Sequence, residues 1–238
     1  MSGKDKLRKF QENSTFACLY QPALNEFFRK DYKLKGRWNA DVFKNNNPII
    51  LELGCGKGEY TIALSQKFAD KNFIGIDIKG ARLWKGAKFA NENNLANVAF
   101  IRTRIDFITS FFAENEISEI WITFADPQLK HDRKRLTGVM FLERYKLFLR
   151  NSGIIHLKTD SPFLHNYTLA LAQQNNLPII ETNSDIYGSN RADEILSIKT
   201  FYEQQFLAQG IAITYLAFDL NNKIPLHEPV WDKEKYNR

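Results

Sequence analysis

The chain is poor in cysteine. It has two, Cys18 and Cys55, among 238 residues, which is no basis for a disulfide framework or a zinc cluster. Cys55 lies inside a glycine-rich turn where a small apolar side chain fits, so packing is expected of it and not nucleophilic chemistry. No apolar run approaches the 18 residues or so that a membrane-spanning helix needs. The N-terminus lacks the apolar segment of a secretory signal. A cytoplasmic protein is the expectation. Internal repeats and low-complexity segments are also missing.

Apolar residues make up 44% of the chain, enough for a sizeable core, so a folded domain is expected and disorder is not. The charge is unevenly spread. Residues 1–47 hold ten Lys/Arg and five Asp/Glu, a net of +5 out of +6 for the whole protein. Phe16, Tyr20, Phe27, Phe28, Tyr32, Trp38 and Phe43 are interleaved with those charges. A basic, aromatic N-terminal arm of this kind fits a nucleic-acid contact surface. A flexible solubilising leader is the plainer alternative.

Beyond the arm, short apolar runs alternate with helical patterns. Strands are predicted at 48–53, 72–78, 98–102, 119–124, 153–159, 178–182 and 211–220. Helices are predicted at 60–68, 82–93, 107–114, 140–149, 161–175 and 195–208. Ser161-Pro162 supplies an N-cap and a first-turn proline. Seven strands alternating with helices predict an α/β fold with a mostly parallel sheet and helices on both faces. Three segments result: the arm (1–47), the α/β domain (48–220) and a polar C-terminal tail (221–238).

Two stretches carry chemistry. Leu51-Glu52-Leu53-Gly54-Cys55-Gly56-Lys57-Gly58 follows the first strand and opens a helix. Its glycines permit a tight turn and close approach of a ligand to the backbone, and the helix N-terminus offers free N–H groups. Asp77, at the end of the second strand, can accept hydrogen bonds from both hydroxyls of a ribose. The spacing G-x-G-x-G departs from the dinucleotide fingerprint G-x-G-x-x-G, and Lys57 is followed by Gly58 where a P-loop needs Ser or Thr. The second stretch is Trp121–Leu136, WITFADPQLKHDRKRL. A strand ends in Asp126-Pro127, at the edge where ligands bind in open α/β sheets. Lys130, His131, Arg133, Lys134 and Arg135 follow, a cluster suited to a phosphate-rich substrate.

Together these motifs resemble the bacterial single-chain tRNA (guanine-N7)-methyltransferases, within the Rossmann-like class I S-adenosylmethionine-dependent methyltransferases. ELGCGKG resembles their motif I, GIDI their strand-two ribose clamp, and FADPQLKHDRKRL their Phe-x-Asp-Pro-Trp-x-Lys segment with its basic run. HLKTD, ending in Asp160, resembles the fifth-strand motif, and Thr200-Phe201-Tyr202-Glu203 the Thr-x-Tyr/Phe-Glu motif. The resemblance covers about residues 48–220. It implies methyl transfer from S-adenosylmethionine to N7 of a variable-loop guanine in tRNA. It further implies cofactor contacts from Glu52, Gly54, Gly56, Asp77, Ile78, Arg104, Ile105 and Asp126, with Asp126 as the catalytic-centre acid. Lys130, Asp160, Thr200 and Glu203 would hold the substrate guanosine. His131, Arg133, Lys134 and Arg135 would meet RNA phosphates. Two residues depart from the family pattern: Gln128 replaces a Trp, and Arg104 stands where an acid commonly serves the adenine, with Asp106 two residues on.

Guanine N7 has a free lone pair, so no base is required, and His131 is expected to serve the loop or a phosphate. His156, inside a strand, is expected to be core. A small-molecule methyltransferase and a non-catalytic RNA-binding protein on the same fold are the competing readings. The basic segments weigh against the first, and the intact Glu52, Gly54, Gly56, Asp77 and Asp126 against the second. No metal is implied, and the protein is expected to be a monomer or a homodimer.

Overall fold

A computed structural model describes residues 3–220 and 224–230. The chain divides into two compact units, Met1–Ile117 and Ser118–Arg238. No helix among the described residues is long and apolar enough to cross a membrane.

The first unit contains helix α1 (Gly3–Asn13), strand β1 (Leu19–Tyr20), β2 (Ile49–Leu53), α2 (Glu59–Lys67), β3 (Asn72–Asp77), α3 (Gly80–Glu92) and β4 (Val98–Arg102). The strands lie in the order β1-β4-β3-β2, and every pairing among them is parallel. Every residue of β2 and β3 is buried, as parallel strands covered on both faces must be. That is why ILEL and NFIGID read as continuous apolar runs broken only where a polar group has work to do.

Residues 1–47 are not a separate arm in their described part. α1 packs on α3, with Asn13 donating to the Gly80 carbonyl (2.9 Å) and the Trp84 indole N–H to Glu12 (2.6 Å). β1 adds a parallel strand beside β4. Trp38 is completely enclosed, its indole N–H donating to the Phe111 carbonyl at 2.9 Å. Phe27, Tyr32 and Phe43 are buried too. The aromatics that suggested a contact surface are core side chains; among them Phe28 stays exposed. Several of the basic residues are tied up locally, Lys35 with Asp31 and Arg37 with Asp41.

The helix expected at 107–114 is a short 3-10 turn, Ile105–Ser110. Its following carbonyls are diverted: Ser110 accepts from the Tyr32 N–H (2.8 Å) and Phe111 from Trp38.

β5 (Ile117–Thr123) leads into the second unit, which holds α4 (Val139–Tyr145), β6 (Leu149–Thr159), α5 (Pro162–Gln174), β7 (Ile179–Asn183), α6 (Phe201–Ala208) and β8 (Thr214–Asp219). β8 runs antiparallel between β6 and β7. The Ser161 hydroxyl caps α5 by accepting from the Leu164 N–H at 3.2 Å. All seven expected strands are present, and β1 makes eight. The helix expected at 195–208 is regular only from Phe201. The Leu196 and Ile198 carbonyls that would continue it accept instead from the Lys158 ammonium, at 2.7 and 2.9 Å. Of the tail, residues 221–223 and 231–238 lie outside the described residues. Leu226 is buried, and His227 exchanges hydrogen bonds with Asn175 of α5.

Candidate active site

In the first unit the glycine loop is shaped by left-handed backbone at Gly54 (φ 74°), Gly56 (56°) and Gly58 (71°), conformations costly for any residue with a Cβ. Gly58 is also fixed by packing, since a Cβ there would sit 2.6 Å from the Phe100 ring. The loop closes onto β3. Gly54 and Cys55 donate to the Ile76 carbonyl at 2.8 and 3.0 Å, and the Gly56 N–H donates to Asp77 Oδ2 at 3.0 Å. Asp77 Oδ1 accepts from the Lys79 N–H at 2.7 Å. Each carboxylate oxygen therefore has one backbone partner and a lone pair to spare, in a group held at the end of a buried strand.

Glu52 stands differently. It is 4% exposed, and its Oε2 accepts from the Thr61 N–H (2.8 Å) and the Thr61 hydroxyl. Thr61 is the third residue of α2, so Glu52 satisfies an orphan amide of that helix and supports the glycine loop from behind. Cys55 is buried, which raises its thiol pKa well above the ordinary value. It is packing, as its setting suggested.

Ile78 follows Asp77 and is 53% exposed. It lines a cavity of about 260 Å³ with Arg102, Thr103, Arg104, Phe107, Gln21, Pro22, Leu24 and Phe27. The Thr103 hydroxyl is enclosed there without a hydrogen-bond partner among the described residues. An apolar platform, an aromatic wall and an orphaned polar atom next to the Asp77 carboxylate fit the nucleoside end of S-adenosylmethionine. Arg104 is exposed at the cavity and pairs with Asp106 (3.1 Å). Ile105 opens the 3-10 turn and is not among the lining residues. The four residues Gln21, Pro22, Leu24 and Phe27 escaped sequence reasoning because the glycine motif lies far along the chain from them.

In the second unit Asp126 is exposed, on a loop with left-handed backbone at Phe124 (φ 52°) and Gln128 (φ 53°). Such conformations in non-glycine residues cost free energy and gather at functional sites. The Phe124 N–H donates to the Lys158 carbonyl at 2.9 Å, and the Gln128 N–H to Asp126 Oδ1 at 2.9 Å. Lys130, His131, Arg133 and Lys134 are exposed. Arg135 is not: it is 0% exposed, and its placement on an RNA-contacting surface is corrected accordingly. Its Nε donates to the Pro127 carbonyl (3.1 Å) and its Nη2 to the Gln128 carbonyl (3.1 Å) and Asp132 (2.9 Å).

Asp160 lines a separate cavity of about 510 Å³ with His165, Thr182, Ser184 and Thr214; burial raises its pKa. Thr200 and Glu203 meet each other in a capping box at the start of α6. Glu203 is 0% exposed and pairs with Lys158, also 0% exposed, at 2.7 Å. Its Oε1 also accepts from the Tyr187 hydroxyl at 2.8 Å. The carboxylate expected to hold substrate is thus committed to the interior. Lys158 was legible only as an oddity, a lysine inside the apolar strand GIIHLKT. His156 packs flat on Trp121 (4.0 Å) and bonds the Tyr215 hydroxyl (2.8 Å), a core residue as expected.

Residues 46–216 match the Methyltransf_4 family model, described as “Putative methyltransferase”. A tRNA (guanine-N(7)-)-methyltransferase from Christiangramia forsetii is 53% identical over 92% of this chain and 100% of its own length. One from Bacteroides fragilis is 49% identical over 95% of this chain and 90% of its own. The chain belongs to the tRNA (guanine-N7)-methyltransferase family. The fold is that of the class I methyltransferases. The solved 16S rRNA methyltransferase KamB superposes with a TM-score of 0.58, covering 75% of this chain and 90% of that one at 12% identity. In the first unit of this family member the Gly56 N–H bonds Asp77, and the neighbouring Ile78 lines one cavity with Arg104. In the second unit Asp126 and the exposed Lys130, His131, Arg133 and Lys134 follow one another along the chain.

Proposed function

We propose that this protein transfers the methyl group of S-adenosylmethionine to N7 of a guanine in tRNA, and that this guanine lies in the variable loop. The near-full-length identity to relatives of that name is the observation that carries the reading. The fit of the first unit's cluster to a nucleoside supports it. Bound there, the cofactor supplies an already activated methyl group.

The turn at Gly54–Gly56 receives the methionine end in the open space beside Gly56, while its amides stay committed to Ile76 and Asp77. Asp77 accepts from the ribose hydroxyls with its spare lone pairs. Ile78 covers the adenine, and Thr103 and the 104–105 backbone meet its edge. Glu52 acts indirectly, by capping α2. On the substrate side, guanine N7 carries no proton, so the protein needs to align the acceptor more than to deprotonate it. Asp126 accepts hydrogen bonds from guanine N–H groups, and these strengthen as positive charge develops on the purine. Asp160 shares that work. Lys130, His131, Arg133 and Lys134 neutralise phosphates, which position the RNA without reading its sequence. Thr200 and Glu203 contribute by building the start of α6. The exposed lysines of residues 1–47 also meet RNA phosphates, and the enzyme works in the cytoplasm.

The test is a tRNA transcript carrying 7-deazaguanosine at the variable-loop position alone. Loss of labelling from S-adenosylmethionine is expected. Undiminished labelling would move the target elsewhere.

A further inference from the structure

Arg135 ends a basic run, yet its guanidinium is fully enclosed. We propose that Tyr167 and Glu228 are positioning residues for methyl transfer: the C-terminal segment, acting through Tyr167, holds Arg135 and with it the backbone that carries Asp126. The proposal rests on the role given to Asp126 above.

The connections run in one direction through the second unit. The guanidinium stacks over the Tyr167 ring at 4.0 Å, with Phe163 at 5.1 Å on another side. Tyr167 is 1% exposed, and its hydroxyl donates to Glu228 Oε2 at 2.6 Å. A phenol donating to a carboxylate has a more electron-rich ring, which strengthens its attraction for a cation above it. Burial and the Glu228 carboxylate both hold the Tyr167 phenol in its protonated form by raising its pKa. Glu228 is itself anchored. Its carbonyl accepts from Gln174 (2.9 Å), the Val230 N–H donates back to Gln174 (2.9 Å), and His227 bonds Asn175 in both senses.

At the other end, the planar fork of Arg135 spans the Pro127 and Gln128 carbonyls, a geometry a lysine cannot reproduce. The Gln128 peptide so held is the one whose N–H fixes Asp126 Oδ1, and it lies in the left-handed region, where it does not rest unaided. The chain Glu228–Tyr167–Arg135–Gln128–Asp126 therefore links a stretch near the C-terminus to the proposed catalytic carboxylate. None of its first three members needs to touch substrate.

Single-turnover methyl transfer to tRNA, at saturating S-adenosylmethionine and tRNA, tests this. Tyr167→Phe keeps the stacked ring and loses the bond to Glu228; Glu228→Gln loses the carboxylate charge. Each is expected to slow transfer about 10-fold, as for a small misplacement of a reacting group. The dissociation constants for both ligands and the thermal midpoint should stay near wild type. Tyr167→Leu, which removes the ring, should slow transfer further. The double variant Tyr167→Phe/Glu228→Gln should be no slower than the worse single one, because both act through one link. Wild-type rates in Tyr167→Phe and Glu228→Gln, or losses that multiply in the double variant, would overturn the proposal. A wild-type protein that methylates no tRNA would overturn the proposed function as well.

Discussion

Replacing Glu203 by alanine separates an interior role from direct substrate contact. Its carboxylate and the Lys158 ammonium are 2.7 Å apart and both wholly enclosed. Burial lowers the Lys158 pKa and Glu203 is the main influence opposing it. Truncating Glu203 takes the paired carboxylate from that ammonium, which still donates to the Leu196 and Ile198 carbonyls, and removes the acceptor that the Tyr187 hydroxyl meets at 2.8 Å and the Thr200 N–H at 3.3 Å. Removing one partner of a buried pair costs about 3–5 kcal/mol. With a urea slope of about 2 kcal/mol/M, the unfolding midpoint should fall by roughly 1.5–2.5 M. The double variant Lys158→Met/Glu203→Leu, which removes both charges, should lose clearly less. Urea titrations followed by tryptophan fluorescence measure both. A Glu203→Ala protein with an unshifted midpoint and sharply weakened tRNA binding would refute the reasoning and return Glu203 to the substrate guanosine.

Asp77→Ala should weaken S-adenosylmethionine binding by about 1.5–3 kcal/mol, because ribose hydroxyls lose a charged acceptor and the glycine loop loses its tether; calorimetry on the folded variant checks it, and unchanged affinity would remove Asp77 from the site. Asp126→Asn should fold and bind the cofactor yet transfer methyl about 10²-fold more slowly. High pH should not rescue it, since N7 has no proton to lose, and a pH-dependent rescue would reveal a general base. Burial lowers the His165 pKa from 6.5 to about 4, so the unfolded chain takes up a proton before the folded one does. The stability this neutral imidazole carries above pH 6.5 should drain away as the pH falls toward 4, by about 3 kcal/mol in all. His165→Gln should lose less over the same range, and parallel profiles for the two proteins would contradict the burial effect.

The central α/β pattern was legible because buried parallel strands announce themselves: PIILEL, NFIGIDI and VAFIR have no other use in a soluble core. The glycine loop was legible for the same reason that it is needed, since three left-handed turns demand three glycines. What escaped was set by partners distant in sequence. α1 carries a mixed, charged sequence and β1 is two residues long, and their packing depends on α3 and β4. Arg135 reads like its exposed neighbours Arg133 and Lys134, and its guanidinium packs instead against Phe163 and Tyr167, about thirty residues on. Glu203 matches a binding motif in sequence, whereas its partner Lys158 is what decides where it points. Glu52 likewise reads as a ligand and serves as a helix cap, because its partner Thr61 lies on the other side of the loop.

The most direct test of the proposed activity is the identity of the product. The protein is incubated with methyl-labelled S-adenosylmethionine and bulk tRNA lacking the modification, and the RNA is digested to nucleosides and separated. The account predicts label in 7-methylguanosine and in no other nucleoside. Label in a different methylated nucleoside, or none above a control without protein, would contradict it.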